Sequence, residues 1–165
     1  MNRRTFIKVS TVTLAAGTLT CAGASLALMA PEIELPETSY GEETMSSKIL
    51  IAYASKCGST ADISQKIGEV LSTHNLRVDV KPVGEITDIS GYQAVVIGSA
   101  IRFGQWLPEG ISFLKSNHDA LQSIPTAMFT VHMQNTDDSS ESRANRELYV
   151  KAARDRLEMT VIPDH

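Results

Sequence analysis

The sequence predicts a three-layer α/β fold built on an open, parallel sheet. Three observations carry that prediction. Short apolar runs alternate with helical stretches along the chain. One run, Ala94-Val95-Val96-Ile97-Gly98, is apolar almost throughout, as strands covered on both faces are. A hydroxyl-rich segment holding one glycine, Ser55-Lys56-Cys57-Gly58-Ser59-Thr60, joins the first strand to the first helix. In such a loop, backbone N–H groups and the positive end of the helix dipole converge on one spot, which suits a phosphate.

The elements follow in order. Residues 31–47 are polar and acidic, with Pro31, Pro36 and Gly41, and read as a flexible linker. Ile49 to Tyr53 is the first strand. Beyond the loop, Ile63, Ile67, Val70 and Leu71 recur at helical spacing and mark an apolar face. Residues 77–83 (RVDVKPV) alternate and form the second strand; residues 86–92 connect it to the third strand, Ala94–Gly98. Trp106 to Ser116 reads as a helix with Pro108 in its first turn and Leu107, Ile111 and Leu114 toward the sheet. Thr126 to Val131 is the fourth strand and Glu141 to Leu157 the next helix; Thr160 to Ile162 begins a fifth strand. Right-handed crossovers then place the loop after the first strand at the carboxyl edge of the sheet, where open α/β sheets bind ligands.

Composition bounds the function. The 165 residues are enough for one domain, and 42% hydrophobic with 21% charged residues fits a soluble body with a core. The net charge is −4, from 15 basic and 19 acidic residues. With Arg3, Arg4 and Lys8 set aside, the remainder holds 12 basic against 19 acidic residues, or −7. Such a body is unsuited to nonspecific nucleic-acid binding; its acidity is compatible with a basic redox partner or, more simply, with solvated surface charge. Cys21 and Cys57 are the only cysteines, and they form neither a CxxC pair nor a zinc-ligand spacing with histidine. No metal site is expected.

Residues 1–30 form a leader. Arg3-Arg4, Phe6 and Lys8 precede a mildly apolar stretch from Val9 to Ala30, and no acid occurs before Glu32. The pattern resembles a twin-arginine export signal, with Ala22-Gly23-Ala24 the best cleavage match. An uncleaved membrane anchor is the alternative, because the stretch is long enough to span a bilayer. Thr18 occupies the position where a lipobox has Leu, so lipidation at Cys21 is not expected. Twin-arginine export carries folded proteins, which suits a cofactor loaded before export.

The loop hexapeptide lacks the Gly-Lys-Ser/Thr ending of a Walker A motif and is not GxGxxG. It resembles the phosphate loop of flavodoxins, roughly Ser/Thr-x-Thr-Gly-x-Thr. Ser55, Gly58 and Thr60 match that pattern and Cys57 replaces the central threonine. Tyr53-Ala54-Ser55-Lys56-Cys57-Gly58-Ser59-Thr60 is similar to a subfamily that includes menaquinone-dependent protoporphyrinogen dehydrogenases. So is the stretch from Val95 through Gly98-Ser99-Ala100-Ile101-Arg102-Phe103-Gly104 to Pro108.

The resemblance implies a flavodoxin-like domain over residues 48–165, strand order 2-1-3-4-(5), and FMN as cofactor. Backbone N–H groups from Lys56 to Ala61, including those of Cys57 and Gly58, would hold the FMN phosphate. The hydroxyls of Ser55, Ser59 and Thr60 would add donors; the alternative is a capped turn with Ser59 or Thr60 as N-cap. Ser99, Ala100, Ile101, Arg102, Phe103, Gly104 and Trp106 would line one side of the flavin, with Phe103 or Trp106 stacking or merely packing. Arg102 would meet a substrate carboxylate or the flavin's electron-rich edge, or else be solvated. Residues 132–139 would cover the other side, opened by His132, which would approach the flavin or stand as a bystander; Asp137, Asp138 and Glu141 nearby would disfavour an anionic reduced flavin or else be surface charge. Cys57, at a helix start, is either a low-pKa redox-sensitive thiol or a passive loop residue.

Family members continue through a complete fifth strand and a last helix, so the domain is expected to be incomplete at its C-terminus. Three functions remain open at this point: an exported FMN-binding electron carrier that serves a redox protein or quinone, a protoporphyrinogen dehydrogenase-like flavoenzyme, and a binding module without flavin. The first needs no catalytic side chain. Contact with a membrane is expected only through an uncleaved leader.

Overall fold

Lys48–Ala54 (β2) alternates its side chains between two apolar layers, and this strand organises the domain. Leu50 and Ala52 enter one core cluster, while Ile51 and Tyr53 enter the other. The structure is a computed structural model, and it describes residues 35–42 and 44–157. The further elements are Thr38–Tyr40 (β1), Ser59–Ser72 (α1), Arg77–Pro82 (β3), a 3₁₀ turn at Val83–Glu85, Ala94–Arg102 (β4), Gln105–Trp106 (β5), Pro108–Ser116 (α2), His118–Ser123 (α3), Thr126–Val131 (β6) and Ser140–Arg154 (α4).

The sheet runs β1-β3-β2-β4, and β4 then pairs with β6. β3, β2, β4 and β6 are mutually parallel. This is the predicted order 2-1-3-4. The predicted fifth strand, Thr160 to Ile162, lies outside the described residues. α1 covers the face bearing Ile51, Tyr53, Val78 and Val80. α2, α3 and α4 contribute Phe113 and Leu114, Leu121, and Ala153 to the core on the opposite face. The fold is therefore the three-layer α/β architecture expected, with a parallel core sheet.

Three local expectations need correction. Part of the expected linker is structured: Thr38–Tyr40 pairs antiparallel with β3, with Ser39 opposite Asp79. The apolar face expected on α1 is only half right. Ile67 and Leu71 pack on the core, but Ile63 and Val70 point outward, and the buried positions are Thr60, Ala61, Ser64 and Gly68. The reason is a close approach. A Cβ on Gly68 would lie 2.7 Å from Val80 Cγ2 and 3.0 Å from Tyr40 Cε2. Small residues let α1 lie tight against β3 and β1, and a pattern read from hydrophobicity alone misses small residues. Finally, the third strand continues past Gly98 to Arg102, and Trp106 lies in a strand; the following helix begins at Pro108.

The sheet's amino-terminal end carries a charged knot. Asp79, 4% exposed, accepts hydrogen bonds from Ser39 Oγ (2.8 Å) and Tyr92 Oη (2.8 Å) and pairs with Lys48 Nζ (2.9 Å). Lys48 also sits 4.5 Å above the Tyr92 ring centroid. Burial pushes the Asp79 carboxyl up, but hydrogen bonds from Lys48, Tyr92 and Ser39 outweigh it and hold the group below its ordinary value. Burial, then the bond to Asp79, pushes Tyr92 well above the usual tyrosine range. The knot ties β1, β2, β3 and the connector before β4 together.

Candidate functional site at the carboxyl edge of the sheet

Parallel pairing places three predicted segments side by side. Ala54 is opposite Ser99 across β2 and β4, and Ala100 is opposite Val131 across β4 and β6. The loop after β2, the β4–β5 hairpin and the loop after β6 therefore leave the same edge.

The β2–α1 loop is closed by its own atoms. Gly58 adopts φ 89°, a left-handed conformation that glycine takes without strain, and its N–H donates to Ser55 Oγ at 3.1 Å. Gly58, not Ser59 or Thr60, is the N-cap of α1, and no side chain caps the helix. The Gly58 N–H is thus committed to Ser55 and is not one of the donors expected for a phosphate. The first intrahelical bond runs from Asp62 N–H to Gly58 O at 3.0 Å. The N–H groups of Ser59, Thr60 and Ala61 accordingly have no intrahelical acceptor. Thr60 is fully buried, and its Oγ1 has no hydrogen-bond partner among the described residues. A buried hydroxyl without a partner is costly, and here it lies in the first turn of a helix with free N–H groups. That donor set fits a phosphate monoester. Cys57 is an exposed free thiol. Lys56 Nζ pairs with Glu109 Oε1 at 2.7 Å, reaching from the loop to the first turn of α2.

The second segment is a two-residue hairpin. Ile101 pairs with Trp106 and Arg102 with Gln105, and Phe103 (φ 52°) and Gly104 (φ 74°) form the turn. Positive φ at both turn positions matches the right-handed twist of the strands. Phe103 is 93% exposed at the tip, with Arg102 stacked 5.4 Å from its ring centroid. Trp106, expected either to stack on the flavin or to pack, takes the second course: it is buried in the core at 3% exposure, and its indole N–H has no partner among the described residues. Ser99 is also internal. Its hydroxyl donates to Ala100 O at 2.9 Å and accepts from Leu107 N–H at 3.1 Å. It fastens the start of α2 to β4, so its side chain is not free for a ligand. Of the two candidate rings, Phe103 is therefore the one exposed at this edge.

The third segment is ordered by a network that the sequence did not reveal. His132 Nδ1 donates to Gln134 O at 2.7 Å, and its ring packs tilted on Tyr149 of α4 at 5.3 Å between centroids. Asn135, at φ 58°, donates to Tyr149 Oη at 2.5 Å, and Arg146 binds Asn135 O at 2.5 Å and Asp137 O at 2.7 Å. His132 is thus clasped by α4. Ser139 is the N-cap of α4 and donates to Asp137 through both its N–H and its hydroxyl. Hydrogen bonds from Ser139, then Ser142, hold Asp137 down to about 2. Asp137 is the anchor of a helix start as well as a negative charge near the edge. No group of three His, Cys, Asp or Glu side chains is placed to hold a metal among the described residues, and no described helix is long and apolar enough to cross a membrane.

Glu109, Asn135, Arg146 and Tyr149 were invisible as site residues in the sequence. Their roles depend on contacts across more than ten residues, and only Glu109, next to Pro108 at a helix start, carried even a local hint.

Comparison with known proteins gives the geometry its context. The chain is 29% identical over 93 residues to the protoporphyrinogen IX dehydrogenase (quinone) of Leishmania major, a stretch covering 54% of this chain and 40% of that protein. It is 30% identical over 88 residues to the Escherichia coli protein of the same name, covering 52% of this chain and 49% of that one. These matches span less than half the length of each relative. A solved structure of a Fusobacterium nucleatum flavodoxin mutant bound to flavin mononucleotide aligns with 15% identity and a TM-score of 0.47, covering 69% of this chain and 65% of that one. The family model for the flavodoxin domain matches residues 50–161, from β2 past the end of α4, and the chain belongs to that family.

Proposed function

We propose that this chain binds FMN at the carboxyl edge of its sheet and works as an electron-transfer protein exported by the twin-arginine route. The observation that carries the proposal is the unpartnered, fully buried Thr60 hydroxyl beside the free N–H groups of Ser59, Thr60 and Ala61. These groups would hold the phosphate, as helix starts do, without requiring a cationic clamp. Ser55 keeps the loop closed through Gly58. Phe103 offers an exposed aromatic face, and the clasped loop from His132 to Ser139 borders the same edge. Bound flavin would supply the electron transfer itself, and the protein would orient it and set its electrostatic surroundings. A redox protein or a quinone is the partner we propose.

The similarity to proteins named protoporphyrinogen IX dehydrogenase (quinone) supports a second reading, a flavoenzyme that oxidises a porphyrinogen. Purified full-length chain, mixed with FMN and freed of excess ligand, should retain the absorption of bound flavin. A colourless protein that FMN does not reconstitute would refute both readings. If flavin is retained, quinone-coupled oxidation of a porphyrinogen separates the enzyme from the carrier.

Export rests on Arg3 and Arg4 in the leader. The double substitution Arg3→Lys, Arg4→Lys should leave the protein in the cytoplasm. Unaltered export of that variant would remove the twin-arginine assignment.

A further inference from the structure

The phosphate loop contains a single cation, Lys56, and the structure pairs it with an acid. Glu109 Oε1 lies 2.7 Å from Lys56 Nζ, with side-chain exposures of 32% and 53%. Exposed pairs of this kind are common and weak, but Glu109 is unusually well anchored. It stands in the first turn of α2, directly after Pro108. The residue before that proline, Leu107, is tied to β4 by its N–H bond to Ser99 Oγ at 3.1 Å. The residue after Glu109 is Gly110, where an added Cβ would lie 3.3 Å from Ala54 Cβ and 3.5 Å from both Ser99 Oγ and Trp106 Cε3. The absent side chain lets α2 approach the end of β2 closely. Proline, serine bond and glycine together fix the backbone that carries the Glu109 carboxylate beside the loop. The location also suits the carboxylate, since a helix start favours negative charge.

We infer that Glu109 is a specificity-determining residue for the phosphate loop: it neutralises Lys56, so the loop recognises a phosphate monoester through hydrogen bonds instead of net charge. This inference rests on the FMN reading of the loop. Its consequence has a sign. Freed from Glu109, Lys56 adds an unbalanced positive charge and attracts the phosphate. Without Lys56, Glu109 adds an unbalanced negative charge and repels it. A flavin that lacks the phosphate feels neither.

The test measures FMN and riboflavin affinity by fluorescence titration for the full-length chain and for Glu109→Gln, Lys56→Met and the double variant, from low to moderate salt. At low salt, Glu109→Gln should tighten FMN by about two- to fivefold and Lys56→Met should weaken it by a similar factor, the range of a surface charge pair. Riboflavin affinity should not change. The double variant should return to the FMN-to-riboflavin ratio of the unmodified chain, which also shows that neither substitution damages the fold. Both single-variant effects should fade as salt shortens the screening length toward roughly 10 Å at 0.1 M. If the FMN-to-riboflavin ratio of Glu109→Gln equals or falls below that of the unmodified chain, the inference is overturned while the FMN reading stands. If the unmodified chain binds neither flavin, the FMN reading fails and the inference with it.

Discussion

Replacing Asp79 with alanine should destabilise the domain by about 2–4 kcal/mol, the cost of removing one partner from a buried charged network. Asp79 accepts from Ser39 and Tyr92 and pairs with Lys48. Its loss leaves two hydroxyls and one ammonium without this acceptor and removes the carboxylate that lies 3.8 Å from Arg77 Nε, at the point where β1 joins β3. β1 is only three residues long, and the Ser39 bond adds a side-chain tie to its ladder with β3. Asp79→Asn keeps an acceptor and should cost less. Denaturant unfolding measures both; equal midpoints for Asp79→Ala and the unmodified chain would mean that the knot contributes nothing. The knot also has a pH signature. The folded-state value of Asp79 lies below the ordinary 3.8, so its stabilisation is fully present above that value and is lost as pH falls through the folded-state value. The stability gap between the unmodified chain and Asp79→Ala should therefore be constant near neutrality and shrink below about pH 4.

Thr60→Val should move binding and stability in different directions. The substitution keeps the shape of the side chain and removes the hydroxyl. Hydrogen bonds to charged groups are worth about 1.5–3 kcal/mol, so FMN affinity should fall roughly ten- to a hundredfold. Stability without flavin should stay level or rise slightly, because a buried hydroxyl with no partner is replaced by a methyl group. Thr60→Ser keeps the donor and should bind FMN within a few-fold of the unmodified chain. Flavin titration and thermal unfolding on the same samples give both quantities. Unchanged FMN affinity in Thr60→Val would remove Thr60 from the site. A clear loss of stability without flavin would show that the hydroxyl serves the fold.

The elements that the sequence shows plainly are those whose signal is local. The apolar run Ala94–Gly98 marks a strand covered on both faces, and it became the centre of the sheet between β2 and β6. Pro108 marks the start of α2. Gly58 marks the turn into α1, where φ is 89°. Misreadings arose where packing overrides pattern. Ser64 and Gly68, not Ile63 and Val70, face the sheet, because a close helix needs small residues there. The same close approach seats Tyr40, which is why residues that look like linker become a strand.

The candidate site divides the same way. Which segments form it was legible, since chain order and right-handed crossovers place the ends of parallel strands on one edge. Which atoms are available was not. Ser99 and the Gly58 N–H are used internally, Trp106 is buried, and Thr60 Oγ1 is left over. Hydrogen-bond satisfaction depends on partners from distant parts of the chain, so it exists only once the strands are paired. The sequence by itself determined the family, the parallel core of the sheet and the position of the glycine-bearing loop between β2 and α1, because each is written in contiguous residues. Only the tertiary structure decided that Glu109 faces Lys56 and that Phe103, not Trp106, is the exposed ring, because those outcomes follow from how closely α2 packs on β2 and β4.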